Sequence, residues 1–269
     1  MRHPLAALVL LAAVLTVGLA CEPGLAQGQS EKLPLPPGGF KPPPPAPVKP
    51  YKPVAITVAA PFADASFAAF RKQLGDIAEH KDRAALARLV VAQGFFWLQD
   101  KDLADKSKSG IDNLAKAIDL DAKDGSGWDV LTGYAAEPTA APWADHKGIM
   151  CAPANPDIDA KAFEALIDAT QTDASEWGYP LKDGLEVRNA AKPDAPVSEK
   201  LGMTLVRIIP ETAPPSDPNQ QMFFHVATPS GKTGFVAGEA FSGLGGDEMC
   251  YLKDAGGWKI TGYFGGAGE

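Results

Sequence analysis

The spacing of apolar residues divides this chain into a helical part and a strand-rich part. From about residue 64 to residue 170, apolar side chains recur at steps of three and four, which places them on one face of an α-helix. In DASFAAFRKQLGDIAEH this apolar stripe consists of Phe67, Phe70, Leu74 and Ile77. Further helices are predicted after the caps Asp82 and Asp159 and over residues 109–120 and 126–136. The run FFWL, residues 95–98, could be a strand or a segment between helices.

Beyond Trp177 the pattern changes to short runs separated by Gly, Pro and Asp, which is typical of β-strands joined by turns. Strands are predicted over residues 185–188, 197–201, 203–209, 222–228, 233–237, 247–253 and 258–264. Short strands at this regular spacing favour a small barrel. The predicted fold class is therefore α+β, with a helical domain over residues 54–177 and a small β-barrel domain over residues 178–269.

The amino terminus has the organisation of a secretory signal peptide. A basic start precedes an apolar run over residues 5–20, which is short for a membrane span of about 20 residues and is followed by small residues. Cleavage within GLAQ would remove residues 1–26 as the signal peptide, and the alternative is lipidation of Cys21 in VGLAC. We therefore expect a periplasmic or secreted protein with no transmembrane segment, or else one that is lipid-anchored at Cys21.

Residues 27–53 form a predicted proline-rich linker. Ten of the twenty residues from 34 to 53 are proline, in PLPPGGFKPPPPAPVKPYKP. Proline fixes φ and lacks an amide donor, so this stretch is expected to be extended and polyproline-like. We interpret it as a spacer between a surface and the folded body. The alternative is a ligand segment for SH3 or WW domains.

The cysteines indicate one disulfide bond. Cys21 is either removed with the signal peptide or lipidated, which leaves Cys151 and Cys250. In an oxidising compartment two remaining cysteines are expected to pair. The alternative for Cys151 is a catalytic nucleophile with His146 near it, which would also need an orienting third group. Its surroundings, HKGIMCAPANP, resemble no known nucleophile motif.

Charge and local motifs argue against several classes of function. The net charge is −8 at pH 7, and nucleic-acid binding requires clustered Lys and Arg, so no nucleic-acid partner is predicted. SGKT lacks the earlier glycine of a phosphate-binding loop, and DLDAKDGSGWD lacks glycine at the sixth position of a calcium loop. The histidines His80, His146 and His225 are too scattered to indicate a zinc site. We predict no catalytic group, cofactor or metal.

The strand-rich part resembles a known family. LEVRNAAKPDAPVSEKLGMTLVRI followed by FFHVATPSGKTGFV resembles the bacterial SH3-like (SH3b) family. The matching positions are Val187, Arg188, Val197, Leu201, Gly202, Phe223 to Val226, Gly231, Gly234, Phe235 and Val236. The chain departs from the family at Phe223, where a tryptophan is usual, and continues beyond the usual end in a hairpin over residues 247–265. The resemblance thus implies an SH3-like β-barrel with an extra C-terminal hairpin.

The resemblance also implies a function, since SH3b domains mostly act as targeting or recognition modules of the bacterial envelope. It implies a non-catalytic module that binds cell-wall peptide or glycan, or an envelope protein. The expected ligand-binding residues are Arg188, Phe224, Phe235, Tyr251 and Trp258. For each aromatic residue the alternative is core packing. The alternative functions are a cell-wall hydrolase with its site in the helical domain and an accessory structural subunit.

Overall fold

The computed structural model describes residues 48–210 and 221–265, all of which lie in one of two structural units, residues 46–269. The predicted signal peptide, Cys21 and residues 27–47 of the predicted linker lie outside the described residues. No helix in the described ranges has the length and apolarity needed to cross a lipid bilayer.

Five α-helices are described, all in the part of the chain predicted to be helical. They are α1 (Ala65–Glu79), α2 (Arg83–Leu89), α3 (Gly110–Ala117), α4 (Ser126–Ala136) and α5 (Ala160–Thr170). Asp64 caps α1 by accepting hydrogen bonds from the backbone N–H groups of Ser66 and Phe67. The predicted caps Asp82 and Asp159 accept backbone hydrogen bonds at α2 and α5 in the same way. These helix predictions are confirmed.

Fourteen β-strands are described, so the fold is mixed α and β. They are β1 (Ile56–Thr57), β2 (Phe96–Leu98), β3 (Ala141–Pro142), β4 (Ile149–Ala152), β5 (Asp157–Ile158), β6 (Trp177–Pro180), β7 (Leu185–Arg188), β8 (Val197–Leu201), β9 (Val206–Ile208), β10 (Phe223–Ala227), β11 (Thr233–Ala237), β12 (Phe241–Gly243), β13 (Glu248–Asp254) and β14 (Gly257–Phe264). Strand β2 settles the two alternatives for FFWL in favour of a strand. Strands β1, β3, β4, β5, β6 and β12 were not predicted.

A five-stranded sheet packs one face against helices α1 to α4. Its order is β2-β14-β13-β4-β3, and β14 runs parallel to β2. Alternate residues of the two C-terminal strands point into the helical core, where Tyr251 and Ile260 are completely buried together with Leu74 of α1. Burial of each such side chain stabilises the fold by about 1.5–3 kcal/mol. The largest core of the described residues therefore lies between helices and sheet.

A seven-stranded sheet encloses a second core. Its order is β12-β6-β9-β10-β11-β7-β8, so β12 and β8 are its edges and the described sheet is not closed into a barrel. This core consists of Leu185, Val187, Leu201, Val206, Val226, Val236 and Phe241. The unpredicted strand β6 pairs with both β9 and β12. The predicted closed barrel is therefore corrected to an open sheet around a core.

The C-terminal hairpin belongs to the five-stranded sheet. In this hairpin β13 pairs with β4 and β14 pairs with β2, so its partners lie in the part of the chain before residue 178. The expected extra hairpin of the barrel is therefore present, but it packs against the helices. The physical reason is its apolar face, since Met249, Tyr251 and Ile260 are each 0% exposed and need a large core.

The end of the predicted linker packs on the seven-stranded sheet. The Tyr51 hydroxyl donates to the backbone oxygen of Ala227 at 2.9 Å and accepts from the backbone N–H of Arg207 at 3.3 Å. The Tyr51 ring meets the buried Trp177 ring edge-on, with centroids 5.1 Å apart. Together with Leu166 of α5, these contacts cover one end of the outer face of the sheet.

Two glycines of α4 allow a matched test of this packing. A Cβ atom at Gly127 would lie 2.4 Å from the Asp119 oxygen and 2.4 Å from the Leu120 Cα, whereas a Cβ at Gly133 meets nothing within 4 Å. We expect Gly127→Ala to lower the free energy of unfolding by about 1–3 kcal/mol, because backbone atoms cannot easily move aside. Gly133→Ala should raise it by about 0.5–1 kcal/mol through helix propensity. Urea denaturation measures both, and similar effects at the two positions would contradict the packing.

Candidate functional site

The outer face of the seven-stranded sheet carries a row of side chains on three adjacent strands, which we call the aromatic row: Arg188, Phe235 and His225. The register pairs His225 with Phe235 and Phe235 with Arg188. The adjacent residues Val187 and Val236 are buried in the core, so strand alternation directs the row to the opposite face. The His225 ring stacks on Phe235, with centroids 4.8 Å apart and planes 14° apart. All three members of the row are half-buried.

Arg188 is held by the loop between β7 and β8. Its Nη1 donates to the backbone oxygen of Ala195 at 2.7 Å, and its Nη2 donates to Glu186 Oε2 at 2.5 Å. Lys200 pairs with the other oxygen of Glu186 at 3.1 Å. This Lys200 hydrogen bond, with the charges of Lys200 and Arg188, lowers the pKa of Glu186. Arg188 therefore organises this loop, and much of its capacity for a ligand carboxylate is used within the protein.

An exposed apolar side chain stands at each end of the 3₁₀ turn Gly238–Ala240, which follows β11. Met222 and Leu181 are 54% and 46% exposed. The Gly238 N–H donates to the backbone oxygen of Met222 at 2.8 Å, and the Leu181 N–H donates to that of Ala240 at 3.0 Å. These backbone bonds tie both apolar residues to the turn, so the pair forms a defined surface feature, which we call the turn patch.

The five residues predicted to bind a ligand do not converge. Arg188 and Phe235 lie on the outer face of the seven-stranded sheet. Phe224 lies on the opposite face, half-buried against Phe241 with ring centroids 5.4 Å apart. Tyr251 and Trp258 are 0% and 7% exposed and belong to the helical core. Phe224, Tyr251 and Trp258 therefore pack in the cores, which is the alternative that the sequence left open for them.

The predicted disulfide between Cys151 and Cys250 is confirmed. The two sulfurs are 1.98 Å apart, and the residues are direct partners on the antiparallel strands β4 and β13. Both cysteines are buried. Because its sulfur is bonded to Cys250, Cys151 offers no thiolate for the nucleophilic chemistry considered as its alternative.

Sequence reasoning did not select His225, Met222 or Leu181. A usable pattern existed for His225, because FFHVA alternates faces and places His225 opposite Phe224 and Val226. For Met222 and Leu181 no such pattern existed, because each stands just outside a strand and its exposure depends on long-range contacts with the 3₁₀ turn.

The described residues contain no group of three or more His, Cys, Asp or Glu side chains that could hold a metal ion. Comparison of the chain with family models, with curated proteins and with solved structures found no match.

Proposed function

We propose that this protein is an exported, non-catalytic binding module of the bacterial envelope. Its ligand is cell-wall peptide or glycan, or else an envelope protein. The binding surface is the outer face of the seven-stranded sheet at the aromatic row, together with the turn patch. In this proposal the helical part and its five-stranded sheet act as the scaffold that supports this surface.

One observation carries the proposal. The exposed large apolar side chains among the described residues are Leu181, Val197 and Met222, and all three belong to the segment of the seven-stranded sheet. Exposed apolar groups together with half-buried aromatic rings are a common feature of surfaces that bind peptides or sugars. By contrast, the aromatic residues Tyr251 and Trp258 of the five-stranded sheet are buried under helices.

The order of elements supports the same proposal. The resemblance to SH3b domains covers about residues 178–244, which include β7 to β11. Within it, the hairpin GKTGFV leads through Val236 into the 3₁₀ turn that holds the turn patch. The best-matched segment and the exposed apolar residues are therefore neighbours in space. Glu239 in this turn accepts a hydrogen bond from Gln221, which lowers its pKa and keeps a charged group at the edge of the patch.

Binding of the mature full-length protein to purified cell-wall sacculi tests the proposal. We expect saturable co-sedimentation that Phe235→Ala or Met222→Ser weakens on the order of tenfold or more, because truncation of a central contact residue costs about 2 kcal/mol. The matched control is Trp143→Ala, which removes a half-buried aromatic residue outside the seven-stranded sheet.

The same incubation separates the alternatives. Release of soluble wall fragments would indicate the hydrolase, and would contradict the non-catalytic role. If sacculi are not bound but envelope extract is crosslinked, the protein partner is the ligand, and Phe235→Ala should abolish that crosslink. Loss of binding with Trp143→Ala to the same extent as with Phe235→Ala would contradict the assignment of the surface.

A further inference from the structure

A depression of about 360 Å³ lies between α4 and the C-terminal hairpin, away from the aromatic row. It is lined by Val130, Gly133, Tyr134, Glu137, Pro153, Asp247 and Tyr263. Helix α4 provides one wall, and the start of β13 and the end of β14 provide the other. Small-molecule sites typically enclose about 300–1,000 Å³, so the depression is at the lower end of that range.

Two carboxylates line this depression, Glu137 just after the end of α4 and Asp247 just before β13. Glu137 Oε1 accepts hydrogen bonds from the backbone N–H of Thr139 at 2.7 Å and from the Thr139 hydroxyl. This fixes the Glu137 carboxylate in one orientation. Among the described lining residues there is no Lys, Arg or His, so the depression is negative, and the overall charge of −8 adds to this field.

Two phenol rings, those of Tyr134 and Tyr263, also line the depression. Tyr134 and Tyr263 meet edge to face, with centroids 6.1 Å apart, and the Tyr263 hydroxyl donates to Asp247 Oδ2 at 2.7 Å. Burial, followed by the influence of neighbouring groups, raises the pKa of both phenols, so they stay protonated and neutral. Ring faces beside carboxylates are the combination that proteins use to bind ammonium groups.

A polar group with no hydrogen-bond partner is buried in the helical core. The Tyr251 hydroxyl is completely buried and has no hydrogen-bond partner among the described residues. Its electrostatic neighbours include Tyr134 and Glu137, both of which line the depression, and Arg71 on the side of α1. The Arg71 Nη1 donates to the backbone oxygen of Ala135 at 3.2 Å, so this guanidinium is bound to α4 next to the lining residue Tyr134.

We propose that this depression is a second binding site, specific for a protonated primary amine. Glu137 and Asp247 supply the two negative charges, and the rings of Tyr134 and Tyr263 line the depression beside them. The amine can belong to a sugar or to an amino-acid side chain, since both present the same ammonium group. The site is separate from the aromatic row and does not depend on the function proposed for that surface.

Calorimetric titration of the mature full-length protein tests this site with two matched pairs of small probes. D-glucosamine is compared with D-glucose, and Nα-acetyl-lysine methylamide is compared with its norleucine analogue. We expect one amine to bind saturably and at least about tenfold more tightly than its neutral counterpart, because loss of a charge-assisted hydrogen bond has about this effect. A difference within the sugar pair identifies an amino sugar as the ligand, and a difference within the lysine pair identifies a lysine-like side chain.

Two variants locate the binding. Glu137→Gln keeps the oxygen that accepts from Thr139 but removes the charge, and Tyr263→Phe keeps the ring but removes the hydroxyl. Each should weaken amine binding, Glu137→Gln on the order of tenfold. The control Glu79→Gln removes an exposed carboxylate of α1 and should leave binding unchanged.

The proposal is overturned if no amine binds, if the neutral probes bind equally, or if Glu79→Gln has the same effect as Glu137→Gln. Phe235→Ala should not alter amine binding, which separates this site from the proposed wall-binding surface.

Discussion

Removal of the Cys151–Cys250 disulfide is expected to lower the free energy of unfolding by about 4–5 kcal/mol. The bond joins residues 99 positions apart. In the chain-entropy account, a crosslink of that span restricts the unfolded chain by about 4.7 kcal/mol at 25 °C. The structure adds a reason for the full effect, since β4 and β13 pair directly at the two cysteines and the crosslink therefore fits the existing register.

Urea denaturation of the Cys151→Ala, Cys250→Ala double variant measures this loss. Tryptophan fluorescence reports the transition, because Trp97, Trp128 and Trp258 lie in the helical core. A loss of 4–5 kcal/mol corresponds to a fall in melting temperature of roughly 10–15 °C for a unit of this size. Reduced wild-type protein is the control and should match the variant. A difference below about 1 kcal/mol between oxidised and reduced protein would contradict the expected contribution.

Local features of the fold were predictable because they depend on neighbours in the sequence. The caps Asp64, Asp82 and Asp159 each accept hydrogen bonds from N–H groups two or three residues later, so the caps and the helices that follow could be predicted together. Strands β10 and β11 could be predicted for the same reason, since PSGK forms the turn between them. The pairing of strands that lie far apart in the sequence was not predictable in this way.

Strand pairing shows where the sequence is insufficient. The alternation of Met249, Tyr251 and Ile260 predicts a hairpin with one apolar face, but it does not say which core receives that face. The parallel partner of β14 is β2, and the Trp97 indole donates to the backbone oxygen of Gly265 across 168 residues. Strand β6 was missed because Gly178 and Pro180 interrupt its pattern and are more typical of turns.

The candidate site was partly predictable, because the alternation of side chains along a strand is a local property. Alternation separates Phe224 from Phe235 by face, because their strands are adjacent and their registers are fixed by a short turn. It does not decide which face is exposed, since that depends on what packs above the sheet. Phe235 lies on the outer face, whereas Trp258 is buried by residues of α1 that are far away in the sequence.

Trp258→Ala is expected to lower the free energy of unfolding by about 3–5 kcal/mol, because it removes a buried aromatic side chain and leaves a cavity. The Trp258 ring contacts Phe67 with centroids 4.9 Å apart, and its indole N–H donates to the Ser66 hydroxyl at 3.0 Å. The loss of this side chain therefore also leaves Ser66 without that partner. By comparison, Phe235→Ala removes a half-buried ring and should cost only about 1–2 kcal/mol.

The comparison of these two variants decides between a core role and a binding role for each aromatic residue. Stability is measured by urea denaturation and binding by co-sedimentation with cell-wall sacculi, at a temperature where both variants are folded. A core role for Trp258 requires a large loss of stability with unchanged affinity of the folded protein. A binding role for Phe235 requires a small loss of stability together with a clear loss of affinity for sacculi. If folded Trp258→Ala loses affinity as strongly as Phe235→Ala, the helical part contributes to the binding surface, and the assignment of that surface to the seven-stranded sheet alone is wrong.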